Sequence, residues 1–113
     1  MAITFVSKAE LAEDAYSRDF VGEKHGGVGA CVIFVEAPPG AGPRLHRHPY
    51  VELLIVLEGI ATFDDGATKR QVGAGQMAVV DANQPHGFVN TGDGILRQID
   101  VHLSPRFMTE WLA

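Results

Sequence analysis

The sequence holds a single cysteine, Cys31, so no internal disulfide can form. Set in an apolar stretch, that residue reads as a small buried hydrophobe. No apolar run approaches the roughly 20 residues that a membrane-spanning helix needs. The first residues lack the charged, apolar and small-residue succession of a secretory signal. Together these absences make the cytoplasm the expected location and exclude a membrane partner. Basic residues are also scarce: nine Lys and Arg stand against 14 Asp and Glu, a net charge of -5, and they are scattered without forming a stripe. A nucleic-acid surface is therefore not expected, and small molecules or proteins are the better partners. There is no repeat, no low-complexity tract and no segment with room for a helix-turn-helix.

What is present fits one domain, residues 1–113, long enough to bury a core and too short for two. Thirteen glycines and six prolines imply many turns between short elements, as all-β chains require. Ile3 to Val6 reads as a short strand, and Ser7 with Glu10 has the capping-box spacing that predicts a helical turn or two. Ala30 to Ala37 is β-branched and aromatic, a strand pattern. Pro49 should interrupt pairing before a long strand from Val51. That strand is apolar on both faces after Glu52, which implies cover on both sides. Asp65-Gly66 predicts a hairpin. Ile95 to Leu103 alternates, with Ile99, Val101 and Leu103 on one face and Gln98, Asp100 and His102 on the other. Ser104-Pro105 predicts a helix start, and Phe107, Met108, Trp111 and Leu112 would form its apolar stripe. About nine or ten short strands with helix only at the ends point to a double-sheet jelly roll.

The chemistry concentrates between Gly40 and Gly59. His46 and His48 are two residues apart and leave an extended strand on the same side; Glu52 shares their parity. Two imidazoles and a carboxylate on one face make a half-site for a divalent first-row metal. His86, in a Pro-His-Gly turn, is the best supplier of a fourth ligand.

The spacing of these residues resembles the cupin superfamily. Gly40, His46, His48, Glu52 and Gly59 fit every position of that family's first motif (40–59). Gly75, His86 and Asn90 keep the register of the second (75–90). Asp81 stands where the family has Pro and Asn83 where it has Gly, although Asn is the next residue to tolerate a left-handed backbone. The resemblance implies an all-β, double-stranded β-helix or jelly-roll cupin barrel, here with a short C-terminal helix. It also implies one divalent ion per chain, Fe, Mn, Ni, Cu, Co or Zn, held by His46, His48, Glu52 and His86. Such a ligand set leaves one or two coordination positions open to water, dioxygen or a chelating substrate.

Around this site Asp100 and His102 are candidate acid-base residues if their face lines the barrel; with the opposite orientation they lie on the surface. Tyr50 could reach the pocket mouth or simply pack at a strand edge. Phe88 and Asn90 share the parity of His86 and are pocket candidates with Gln98, against a plain core role for the aromatic. His25 reads as a polar loop residue, and Arg97 and Arg106 as surface cations.

Three functional readings follow. The first is a metal-dependent enzyme acting on a small metal-chelating substrate; dioxygenase-type oxidoreductase leads, and isomerase or lyase chemistry is the alternative. The second is a non-catalytic small-molecule binding or sensing barrel. The third, a storage protein, ranks last because such cupins carry two barrels. A homodimer is expected, because the two-sided apolarity of Leu53 to Leu57 and the C-terminal stripe each need a cover.

Overall fold

The computed structural model describes residues 2–113. Eleven strands run in chain order: β1 Ala12–Asp14, β2 Ser17–Val21, β3 Cys31–Ala37, β4 His46–Arg47, β5 Glu52–Glu58, β6 Ile60–Asp64, β7 Lys69–Gly73, β8 Met77–Val80, β9 Gly87–Asn90, β10 Leu96–His102 and β11 Glu110–Trp111. Among the described residues helix is limited to two 3-10 turns, Lys8–Glu10 and Gly22–Lys24. The first is the turn that the capping-box spacing predicts, but Ser7 makes no side-chain cap bond.

A six-stranded sheet in the order β1-β2-β3-β10-β5-β8 faces a three-stranded sheet in the order β7-β6-β9, and β11 pairs with β4 in a small third sheet. Every pairing is antiparallel. The core lies between the two larger sheets: Val35, Ala37, Leu54, Val56, Ala61, Val72, Val80, Phe88 and Leu96 form one buried cluster. Alternation along β10 buries Leu96, Gln98, Asp100 and His102 and turns Arg97, Ile99 and Val101 outward. In register, His102 faces Cys31 on one side and Glu52 on the other, and Asp100 faces Ile33 and Leu54. The polar face of β10 is therefore the inner one.

Motif positions have local physical reasons. Gly59 sits at φ +88°, and a Cβ there would meet the Ile95 carbonyl oxygen at 2.7 Å. Asn83 takes the left-handed conformation at φ 67°, so the turn survives the absence of glycine. Asn90 donates through Nδ2 to the carbonyls of Ala37 and Gly94 and accepts from the Gly92 N–H. It clasps the turn before β10 to the end of β3.

Three expectations are corrected. The sheets do not close into a barrel; the molecule is a β-sandwich with separate sheets. Ile3 to Val6 forms no strand and lies exposed, so its apolar side chains gain no burial from extending. The C-terminal helix is absent. Ser104 instead closes a local loop, its Oγ donating to the Arg106 carbonyl at 2.7 Å, and the chain extends so that Glu110 and Trp111 pair with Arg47 and His46. The Leu112 N–H donates to the Leu45 carbonyl, and Arg47 binds Glu110 at 2.8 Å. A helix this short carries the full nucleation cost with few propagating bonds. An unpaired strand edge beside β4 offers the same residues ladder bonds at once.

Candidate metal centre

His46 and His86 are brought together by backbone: each N–H donates to the other's carbonyl, at 2.9 and 2.8 Å, across an isolated antiparallel bridge. Their rings lie 4.3 Å apart. His48 follows on the same side of the chain, before the interruption at Pro49, and Glu52 opens β5. All four side chains are buried, and one ligand atom from each falls within 4.8 Å of the others. These four residues could hold a metal ion.

The hydrogen bonds around the imidazoles fit that role. The Nδ1 of His46 donates to the Arg44 carbonyl at 2.6 Å, that of His86 to the Gln84 carbonyl at 2.9 Å, and that of His48 to the Met108 carbonyl at 2.8 Å. A carbonyl only accepts, so the proton of each ring sits on Nδ1 and the Nε2 lone pair is released toward the centre. His48 Nε2 lies 3.3 Å from Glu52 Oε1, yet it is buried with no hydrogen-bond partner. An unpartnered buried nitrogen amid ligand atoms is what a coordination site shows before its ion is counted.

Electrostatics point the same way. Burial alone would raise the Glu52 carboxyl, but the imidazoles of His102, His48 and His86 around it hold it far below the usual range. Burial drives the His46 imidazole down to about 4, leaving it neutral and ready to coordinate. Burial would also lower His86; the Glu52 carboxylate, 2.9 Å from its Nε2, and the Gln84 carbonyl outweigh that and raise it.

His102 completes the surroundings. Its Nε2 donates to Glu52 Oε2 at 3.0 Å, and its Nδ1 accepts from the Tyr50 hydroxyl at 2.7 Å. Burial pushes the Tyr50 phenol up to about 12, so it stays a donor, and the Met108 N–H reaches its oxygen at 3.4 Å. A directed chain runs from Met108 through Tyr50 and His102 to the Glu52 carboxylate.

A cavity of about 400 Å³ opens beside the four residues. Asp100, His102 and Phe88 line it, together with residues that carry no signal in the sequence: Asp14, Tyr16, Ser17 and Asp19 from the β1–β2 hairpin, and Phe107, Thr109 and Trp111 from the C-terminal segment. Tyr50, Asn90 and Gln98 are not among the lining residues. Tyr50 acts through His102, Asn90 is the turn clasp, and Gln98 donates to Asp100 Oδ1 at 2.7 Å from below. Asp100 is fully buried; desolvation first, then Glu52 and Asp19, raise its carboxyl well above the ordinary range. The β2 contribution escapes sequence reading because Ser17 and Asp19 are polar side chains on the cavity side, so no apolar alternation marks the strand. His25 stacks on Phe20 at 4.5 Å, far in role from the centre. Arg97 pairs with Glu36 and Glu58, and Arg106 lies 4.0 Å from Glu23, both on the surface.

The family model described as "Cupin domain" matches residues 33–102, more than half of the chain. The chain belongs to the cupin family. Its fold is similar to a double-stranded β-helix protein from Klebsiella pneumoniae, at 18% identity and TM-score 0.76, with 96% of each chain covered. A predicted oxalate decarboxylase from Thermotoga maritima matches at 21% identity and TM-score 0.77, over 89% of this cupin and 99% of that chain. An oxalate oxidase in complex with glycolate matches at 20% identity and TM-score 0.75, over 96% of this cupin and 63% of the oxidase. No curated protein matches at the sequence level. Among the described residues no helix is long and apolar enough to cross a membrane.

Proposed function

We propose that this cupin is a metal-dependent enzyme that acts on a small metal-chelating organic molecule, with dioxygenase-type oxidation as its reaction. The observation that carries the reading is the convergence of three Nε2 lone pairs and the Glu52 carboxylate beside a cavity, with His48 Nε2 left unpartnered. A divalent ion bound there supplies a Lewis acid for a chelating oxygen and, as iron, redox chemistry with dioxygen. His46, His48, Glu52 and His86 hold the ion. His102 orients Glu52, and Phe88 gives the cavity an apolar wall. Asp100, its carboxyl raised by burial, lines the same cavity and is the group placed to give or take a proton from a bound substrate. The oxalate chemistry of the structural neighbours is not carried over, since likeness at such identities speaks for the fold.

The reading extends to assembly and place. The outer face of the six-stranded sheet presents Leu53, Ile55, Leu57, Met77, Val79 and Leu103; Leu57 is 54% and Val79 64% exposed. A second copy of the chain would cover that face in a two-fold dimer. The single buried thiol of Cys31 suits a reducing cytoplasm.

The test is elemental analysis of protein purified without an affinity tag, beside the His46→Ala, His48→Ala double variant. About one iron per chain, lost in the variant, followed by oxygen uptake with chelating diols or diketones, supports the proposal. Protein that takes up no divalent metal on reconstitution overturns it.

A further inference from the structure

The cavity has a charge bias that the four ligands alone do not reveal. Asp19 faces Ile33 across the β2–β3 pairing, and Ile33 faces Asp100 across β3–β10. The two carboxyls thus flank one apolar side chain on the same inner row, and both line the cavity, with Asp14 beyond them and Leu54 on the next strand. Among the described residues no Lys or Arg lines it. The nearby arginines are engaged elsewhere: Arg18 binds Glu13 and the Leu11 carbonyl, and Arg44 lies over the Trp111 ring at 5.6 Å. A second observation marks the space as a ligand site: His48, 4% exposed, aims its unpartnered Nε2 into it.

A divalent ion held by three neutral imidazoles and one carboxylate leaves the centre with one net positive charge. A chelator bound as a monoanion cancels it. A dicarboxylate dianion instead leaves a net negative charge in a partly buried space whose lining carries Asp14, Asp19 and Asp100 beside His102. An uncompensated charge of that kind is expensive to bury, and no cation is at hand to offset it. Burial lifts the Asp19 carboxyl against the hydrogen bond from Ser17, and Asp14 adds to the rise while His102 opposes it.

We propose that the cavity selects a chelating substrate that binds as a monoanion with an apolar body lying over Ile33 and Leu54, and that Asp19 makes it reject dicarboxylates. This rests on the metal-centre reading above and names the substrate class for it.

The experiment uses protein loaded with zinc, which binds chelators without turnover, and isothermal titration with two probes. Tropolone is a planar monoanionic chelator with an apolar ring; oxalate is the smallest dicarboxylate chelator. The wild type should bind tropolone at least about tenfold more tightly than oxalate. Asp19→Asn should raise oxalate affinity several-fold and tropolone affinity by clearly less, since repulsion scales with ligand charge, and Asp19→Arg should raise oxalate further. Asp19→Asn is the conservative variant and suffices by itself should the arginine variant not fold. Oxalate bound as tightly as tropolone by the wild type, or unmoved by Asp19→Asn, overturns the selectivity while the metal centre stands. Failure to load zinc removes the metal centre and this inference with it.

Discussion

His102 Nε2 lies 3.0 Å from Oε2 of Glu52, while the other oxygen of that carboxylate meets His86 Nε2 at 2.9 Å. The two residues are direct cross-strand partners on β10 and β5. Register alone therefore places an imidazole donor behind a carboxylate ligand and assigns each oxygen its own task. Oε1 faces the candidate ligand cluster and Oε2 is held from behind by His102, so Glu52 would meet a bound ion in a supported orientation.

Replacing His102 by Ala should weaken metal binding by about 10–100-fold, the usual consequence of losing such a supporting partner. Tyr50→Phe, which removes only the hydroxyl bonded to His102 Nδ1, should fall between that variant and the wild type. Competition against a fluorescent chelator measures both. Unchanged affinity in His102→Ala would show that Glu52 needs no support.

The C-terminal segment acts as a strap on the candidate ligand His48. The Met108 carbonyl accepts from His48 Nδ1, and Glu110 and Trp111 pair with β4. Ending the chain after Phe107 should leave a folded protein, since no member of the core cluster is removed. Its metal affinity should drop by about tenfold. Circular dichroism and chelator competition separate the two effects.

Asp100 gives a pH dependence of known sign. Its folded pKa is raised by burial, Glu52 and Asp19, so above the unfolded carboxyl pKa the unfolded chain holds fewer protons than the folded one. Stability from this group is therefore complete at low pH and is lost as pH rises toward the folded pKa. Asp100→Asn keeps an acceptor for Gln98 and removes the titration. It should melt above the wild type at neutral pH, each 1 kcal/mol gained moving Tm by about 4 °C, and the advantage should vanish at about pH 4, the ordinary carboxyl range. Calorimetry across that range decides it.

Light scattering tests the outer sheet face. Met77 and Val79, across from Ile55 and Leu53, are 50% and 64% exposed. The wild type should run as a dimer, and Met77→Lys with Val79→Glu should give a monomer with its metal centre intact. A monomeric wild type at micromolar concentration removes the dimer.

Gly59 offers a stability check. At φ +88°, with the Ile95 oxygen 2.7 Å from where a Cβ would sit, Gly59→Ala should cost about 1–3 kcal/mol in urea unfolding.

The sequence by itself determined which residues are the candidate ligands, the short-strand architecture and the turns, because each is local. Parity places His46, His48 and Glu52 on one side within a single short stretch, and turn chemistry fixes Gly59 and Asn83 with no reference to distant chain. The same parity separates Gln98, Asp100 and His102 from Ile99, Val101 and Leu103 but does not say which face is inner. Only the tertiary structure decided that, by pairing His102 with Glu52 and Asp100 with Leu54, choices made between strands far apart in the chain. It likewise decided the fate of the last residues. Their helical pattern is genuine, yet the free edge of β4 gives Glu110 and Trp111 backbone partners that a helix of that length cannot match. The cavity's acidic wall was hidden for a related reason: Ser17 and Asp19 turn polar side chains to the cavity, so β2 has no hydrophobic alternation to announce it.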